Sequence, residues 1–290
     1  MTLKLSDFGK FKIVQDDGNW IDRDRIVPVI NYWKHYFDHM FVSGTVIHKA
    51  GDKPDVQYDV TPKRVVIKGH TCINSLAIMF ACLERNHTVI FDNSTNLTED
   101  WYKKVKPDVL IVGTDDLILP GSRYTSGPNS VRLLFTRKMT NMFEYDKEFE
   151  IDPKSVWIEH KDKRTTKFTR EKLLKQFDKF ENSPAVAFVE QDSRHQVKQL
   201  IECLLPLMYK GAKIVLDTGL EGFDWKQSMV EHRPDLCWWG VKLEKAIKDY
   251  DPWLNTLSPT PLYIPHIRKT KVTETNSLPD FIKEPDSETA

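Results

Sequence analysis

No apolar run in this chain approaches the roughly 20 residues that a membrane-spanning helix needs. The opening stretch MTLKLSDFGKFKIVQDDGNW has neither the apolar core nor the cleavage site of a secretory signal. Both absences argue against a membrane protein and for a cytoplasmic setting. An excess of one charge is missing as well. Lys plus Arg number 42, Asp plus Glu number 42, and the formal net charge is zero. No overall field therefore steers the chain toward nucleic acid or an anionic bilayer. Cysteine is scarce and unpaired. Cys72, Cys82, Cys203 and Cys237 sit singly among apolar residues without CxxC spacing, the pattern of small buried thiols in a reducing compartment. The nine histidines are scattered and HExxH is absent, so neither a metal site nor a bound cofactor is expected. GxSxG is also absent, which removes the nucleophile elbow of a hydrolase.

What is present is a chain of 290 residues, 40% hydrophobic, long enough for a full core or for two subdomains sharing one. Its clearest segment, HQVKQLIECLLPLMYKGAKIVL from His195 to Leu216, sets an apolar helical face ahead of Gly211. That face is Val197, Leu200, Ile201, Leu204, Leu205 and Met208, and the buried strand Ala212–Leu216 follows. A second unit of the same design runs through a helix from Asn74 to Leu83, a turn at Glu84–His87 and a strand from Thr88 to Asp92. With strands predicted at Val65–Gly69 and Val109–Gly113, strands and helices alternate over about fifty residues, the signature of a largely parallel sheet with right-handed crossovers. The expected class is α/β, a layered, largely parallel sheet with flanking helices.

The rest of the chain divides around that core. Residues 1–60 carry short strand-like pieces and an amphipathic helix, with Ile26, Val29, Ile30, Trp33, Tyr36, Phe37 and Met40 at spacings of three and four. Residues 61–250 are expected to form the α/β domain proper. Within them a helix capped by Thr169 buries Leu173, Leu174, Phe177 and Phe180, strands are expected at Pro184–Val189 and Leu236–Val241, and a helix at Trp225–Glu231. Residues 251–290 are punctuated by Pro252, Pro259, Pro261 and Pro265 and end in a polar tail, which reads as an extension.

On these residues the chain resembles the N-terminal region of the adenylate-forming ligases, the group of acyl-CoA synthetases, luciferases and peptide-synthetase adenylation domains. Ser75–Leu83, Asn86–Phe91 and Lys106–Val112 look like that family's first helices and strands. Pro184–Leu216 looks like its strand, histidine-started helix with an internal proline, glycine and strand. The resemblance spans about residues 60–250 and implies that His195 borders a carboxylate-substrate pocket. It also implies a Ser/Thr/Gly-rich phosphate loop ending in lysine, for which Thr165, Thr166 and Lys167 are the candidate remnants. The stretch from Glu159 to Lys167 contains no glycine, and closing successive backbone amides around phosphate requires it. Tyr124–Ser130 is closer in composition but precedes a strand and has no lysine. The family's magnesium-ordering acidic motif, its ribose-binding aspartate and the C-terminal domain with the catalytic lysine have no recognised counterpart.

Three further positions are candidates for the edge of a binding pocket. His195 is either a residue of a helix-capping region or a pocket wall. His70 follows a strand at the edge where α/β proteins bind ligands, and Asp217 closes the strand before it, with either a ligand or a turn as its duty. Asp92 ends its strand in the same way. Lys161, Lys163, Arg164, Lys167, Arg170 and Lys172 form the most basic stretch, interrupted by Glu159, Asp162 and Glu171. It is either a solvated face or a contact for phosphate or nucleic acid. The functional expectation is a non-catalytic binding or assembly protein with a protein partner or a second copy of itself. The alternative is an ATP-dependent acid-activating ligase completed by another subunit, with a small carboxylate or nucleotide as ligand.

Overall fold

The structure is a computed structural model. It describes residues 3–46, 55–58, 61–69, 71–92, 104–112, 156–160, 166–178, 184–191, 196–219, 221–238, 240, 245, 249 and 262–263. Two compact units share the chain: Met1–Asp7 with Asp24–Leu174, and Phe8–Arg23 with Lys175–Ala290. The later boundary falls inside the stretch 61–250 that the sequence reads as one domain.

The second unit opens the sequence of elements with β1 (Lys12–Gln15) and β2 (Ile21–Asp22). The first unit then supplies α1 (Arg23–Met40), β3 (Val42–Val46), β4 (Asp55–Tyr58), β5 (Arg64–Lys68), α2 (Ile73–Glu84), β6 (Thr88–Asp92), β7 (Val109–Val112), β8 (Ile158–His160) and β9 (Thr166–Phe168). The chain passes back through α3 (Arg170–Asp178) to β10 (Val186–Glu190), α4 (Gln196–Gln199), α5 (Leu205–Lys210), β11 (Lys213–Asp217), α6 (Trp225–His232), β12 (Leu236–Trp238) and β13 (Leu262–Tyr263).

In the first unit the sheet order is β7-β5-β6-β8-β9, parallel except for the antiparallel β8–β9 pair, while β3 and β4 form a separate hairpin. Val65, Val66 and Ile67 of β5 and all five residues of β6 are buried, as expected of a parallel sheet covered on both faces. α2 is apolar around its whole circumference, and Ile73 through Leu83 are all buried. Its first turn is fastened by Cys72, whose Sγ accepts from the Ser75 N–H and whose own N–H donates to Ser75 Oγ at 2.8 Å. Its far end stops at Asn86, in the left-handed region at φ 59, where Trp157 Nε1 donates to Asn86 Oδ1 at 3.2 Å.

Side chains of α1 fix its register against α2. Trp33 Nε1 donates to Asn74 Oδ1 at 3.3 Å, and Lys34 Nζ lies 2.8 Å from Glu84 Oε2. Arg85 donates from Nε and Nη2 to the two oxygens of Asp38 at 2.9 and 3.1 Å. Arg85 stands at the C-terminal end of α2, where a cation also meets the helix dipole. Both members of this pair are buried, at 3% and 4% side-chain exposure.

The second unit holds a six-stranded sheet in the order β13-β12-β10-β11-β1-β2, parallel except for the antiparallel β1–β2 pair. Between β10 and β11 the helix expected after His195 is present but not uniform. Leu200–Leu204 form a π-helical turn between α4 and α5. Pro206 has no N–H for the carbonyl four residues back and its ring crowds that carbonyl, so the widened turn relieves the conflict. The helix ends at Gly211 with φ 81, a conformation that favours glycine. Gly9 is packed against that glycine: a Cβ on Gly9 would lie 2.7 Å from Gly211 Cα.

Most expected elements occur where the sequence places them. β2 and β13 are too short to carry a periodic pattern, and β9 occupies a segment read from sequence as a loop before the Thr169 cap. A strand that the apolar run Val131–Phe135 predicts lies outside the described residues, and of the short helix predicted at Lys242–Ile247 only Lys245 is described. Among the described residues no helix is long and apolar enough to cross a membrane.

Removing one partner of the buried Asp38–Arg85 pair strands the other charge in the interior. Asp38→Ala is expected to cost about 3–5 kcal/mol in urea unfolding. The double variant Asp38→Leu with Arg85→Leu is expected to recover most of that loss, because no buried charge then remains.

Candidate functional site

The residues best placed to meet a ligand lie where the parallel strands of the second unit end. β10 leaves through α4 and α5 toward β11, whereas β12 continues to β13 on the opposite flank. Divergence of this kind marks the crevice at which open α/β sheets bind ligands. The register brings Glu190 of β10 beside Asp217 of β11, and Asp16 follows β1 on the far side of β11. All three carboxylates are buried.

Each accepts hydrogen bonds from backbone that is leaving the sheet. Asp16, in the left-handed region at φ 51, accepts from Thr218 N–H at 2.8 Å and from Thr218 Oγ1 at 2.7 Å. Asp217 Oδ1 accepts from Gly219 N–H at 2.8 Å, and Glu190 Oε2 accepts from Gly240 N–H at 3.0 Å. Gln199, itself buried, donates from Nε2 to the Glu190 carbonyl at 2.6 Å. An amide at the end of a buried strand loses water and needs an acceptor. These carboxylates supply it, with the added strength of a charged acceptor. Among the described residues no group of three or more His, Cys, Asp or Glu could hold a metal ion.

The sequence-predicted positions fall in different places. Asp217 is fully buried at the strand edge and holds the turn after it. Thr166 and Lys167 belong to β9, with Lys167 exposed and opposite Glu159 of β8 in the antiparallel register. Thr165, His70 and His195 lie outside the described residues. Asp92, at the end of β6, is buried in the first unit. Sequence reasoning did not single out Asp16, Glu190 or Gln199. Asp16 and Thr218 are 202 residues apart, a pairing that no local pattern carries.

The thiols are poorly suited to nucleophilic or metal chemistry. Burial pushes the Cys82 and Cys237 thiols well up from the ordinary value. Burial does the same at Cys203, helped by the neighbouring Cys237 and Glu202. Burial also raises Glu202, against the opposing pull of Lys198 3.9 Å away. Tyr32 and Tyr36 are raised by burial, Tyr32 also by Tyr36.

Among solved structures the chain is similar to a putative long-chain-fatty-acid CoA ligase from Rhodopseudomonas palustris. The TM-score is 0.54 at 13% identity, over 83% of this chain and 61% of that one. It is also similar to a fatty acyl-adenylate ligase from Legionella pneumophila, solved with acyl adenylate and pyrophosphate, at a TM-score of 0.54 and 10% identity over 80% of this chain and 41% of that one. A nonribosomal peptide synthetase, FmoA3, gives a TM-score of 0.53 at 10% identity over 79% and 24%. The shared feature is the fold. Its mixed parallel and antiparallel sheets with flanking helices match the general architecture of the N-terminal subdomains of adenylate-forming ligases. The chain spans about a quarter to three fifths of the length of these structures. No family model and no curated protein matches it.

Raised thiol and phenol values translate into a sign for stability. The folded state keeps these groups protonated, so their contribution is complete below the unfolded thiol value of 9.0 and is lost as pH rises beyond it. Unfolding midpoints in urea are expected to hold steady up to about pH 8 and to fall progressively above about pH 9. All four cysteines are buried. They are expected to resist an aromatic disulfide reagent in native buffer and to react promptly in denaturant; fast native labelling would contradict the burial.

Proposed function

We propose that this chain is a non-catalytic binding or assembly protein that uses the scaffold of an adenylate-forming ligase without its chemistry. The observation that carries the reading is the use of the strand-edge carboxylates. Asp16, Glu190 and Asp217 each hold a backbone amide of an exiting segment, with both oxygens of Asp16 and one oxygen each of Glu190 and Asp217 engaged by the exiting chain. Adenylyl transfer needs charge stabilisation around the reacting phosphate, commonly from a metal ion and lysine. Lys167, the lysine that the resemblance allots to a phosphate loop, stands exposed on β9 opposite Glu159, within an antiparallel pair.

A surface for a partner is supported by the aromatic residues of the second unit. Trp20 meets His232 edge-on at 5.3 Å between ring centroids, Lys226 lies over the Trp225 ring, and Val230 is 53% exposed. Amphipathic rings that keep some exposure are common components of protein contacts. The partner is a protein or a second copy of this chain.

The competing reading is ATP-dependent acid activation completed by another subunit. It is favoured by the likeness to the Legionella ligase solved with acyl adenylate and pyrophosphate. Calorimetry with ATP and magnesium, together with carboxylate-dependent pyrophosphate exchange, separates the two. No nucleotide binding and no exchange are expected, alongside a defined complex in size-resolved cell extract. Saturable ATP binding with exchange would establish the ligase reading instead.

A further inference from the structure

The β3–β4 hairpin of the first unit is a separate two-stranded sheet, and the chain that carries it departs and returns beside one buried histidine. Phe41 stands immediately before β3 and Lys63 immediately before β5. His87, 4% exposed, touches both. Its ring meets Phe41 at 5.1 Å between centroids and 77°, and Phe37, one turn earlier on α1, at 5.7 Å and 89°. Its Nδ1 accepts from the Lys63 N–H at 3.3 Å, and the next residue along, Thr88, donates its N–H to the Lys63 carbonyl at 2.8 Å. The Lys63 ammonium lies 5.5 Å from the centre of the Phe41 ring.

A donor aimed at Nδ1 fixes the ring as the neutral tautomer with its proton on Nε2. A second proton can be added only at Nδ1, where it displaces the Lys63 N–H. The charged groups on the elements that meet here do not favour that step. Lys63 brings a cation from the β5 side. From α1, Asp38 already gives its two oxygens to Arg85, and Lys34 is paired with Glu84 in the turn that leads to His87. An imidazolium in this position would be a buried charge without its hydrogen bond, which is costly. Once the seam opens, water reaches the ring and the proton is taken up as in any exposed histidine, at about pH 6.5.

We propose that His87 is a proton-operated clasp at the base of the β3–β4 hairpin: neutral, it holds Phe41 and Lys63 together, and protonated at Nδ1 it releases both. The open form is the one that takes up the proton. The clasp is therefore complete above about pH 6.5 and is lost as pH falls below it. That window lies on the acid side of the one in which the buried thiols and phenols act. Opening frees the two ends of the hairpin together, because both rest on the same ring. The clasp operates in the same way in a binding scaffold and in a ligase subunit.

Amide hydrogen exchange followed by NMR in the full-length chain tests the clasp. Protection factors of the Lys63 and Thr88 amides are compared one pH unit above and one below the ordinary histidine value. They are expected to fall roughly tenfold on the acid side, the ratio given by a histidine that titrates only in the open form. Amides in the middle of α2 and in β11 are expected to keep theirs. His87→Asn places an amide oxygen near the Nδ1 position without a titrating group, and should abolish the pH dependence at Lys63 and Thr88. Equal protection of the two amides at both pH values in wild type would overturn the proposal. So would a loss shared equally by α2 and β11, which is general acid unfolding. A tenfold loss that persists in His87→Asn assigns the proton to another group and is equally decisive. Should His87→Asn not fold, the imidazole nitrogens of the wild-type protein settle the matter. Nδ1 is expected to be bare at both pH values in the closed form, and a proton found there while Lys63 and Thr88 stay protected would sink the idea.

Discussion

Where a buried parallel strand ends, the first amides of the departing chain have lost water and must find an acceptor. In the unit formed by Phe8–Arg23 and Lys175–Ala290 that requirement falls on Asp16, Asp217 and Glu190, each of which takes a backbone N–H. A carboxylate in the interior is costly without hydrogen bonds. The amides that need acceptors and the carboxylates that need donors therefore satisfy one another. The loops at this edge owe their positions to that exchange.

The first unit meets a similar constraint with opposite charges instead of amides. α2 is apolar on every face, so its backbone and flanks need cover from all sides. α1 brings Lys34 and Asp38 to Glu84 and Arg85, and Trp33 to Asn74, which sets its register along the buried helix. Ion pairs this deeply buried contribute little net stability relative to apolar packing. Their value lies in specifying one register between two surfaces that are otherwise largely hydrophobic.

How much of this was legible depended on whether the signal was local. β5, α2, β6 and β11 are continuous apolar runs bounded by polar turns, and their burial on all sides is the reason they read so clearly. The Pro206 and Gly211 punctuation of the helix before β11 was visible, but the π-helical turn was not, because periodicity alone does not say how a helix absorbs a proline. β9 was missed because Thr166-Lys167-Phe168 is too short and too polar to show apolar alternation; its strand character comes from pairing with β8. The edge carboxylates were legible only in part. Asp217 follows an apolar strand and was picked out by position. Asp16 lies in an apparent surface turn, Asp16-Asp17-Gly18, yet its acceptor role depends on a strand contributed from the other end of the sequence.

That separation has a consequence for how the molecule is made. β1 is wedged between β2 and β11, and β11 is synthesised some 200 residues later, about ten to forty seconds at ordinary ribosomal speeds. Until then Ile13 and Val14, buried in the finished sheet, have no parallel neighbour to join. β2 can cover one edge of β1 at once, but the edge that faces β11 stays open until then, a state prone to mispairing. Completion of this sheet therefore waits on a pairing of high sequence separation, the kind whose loop-closure cost slows folding.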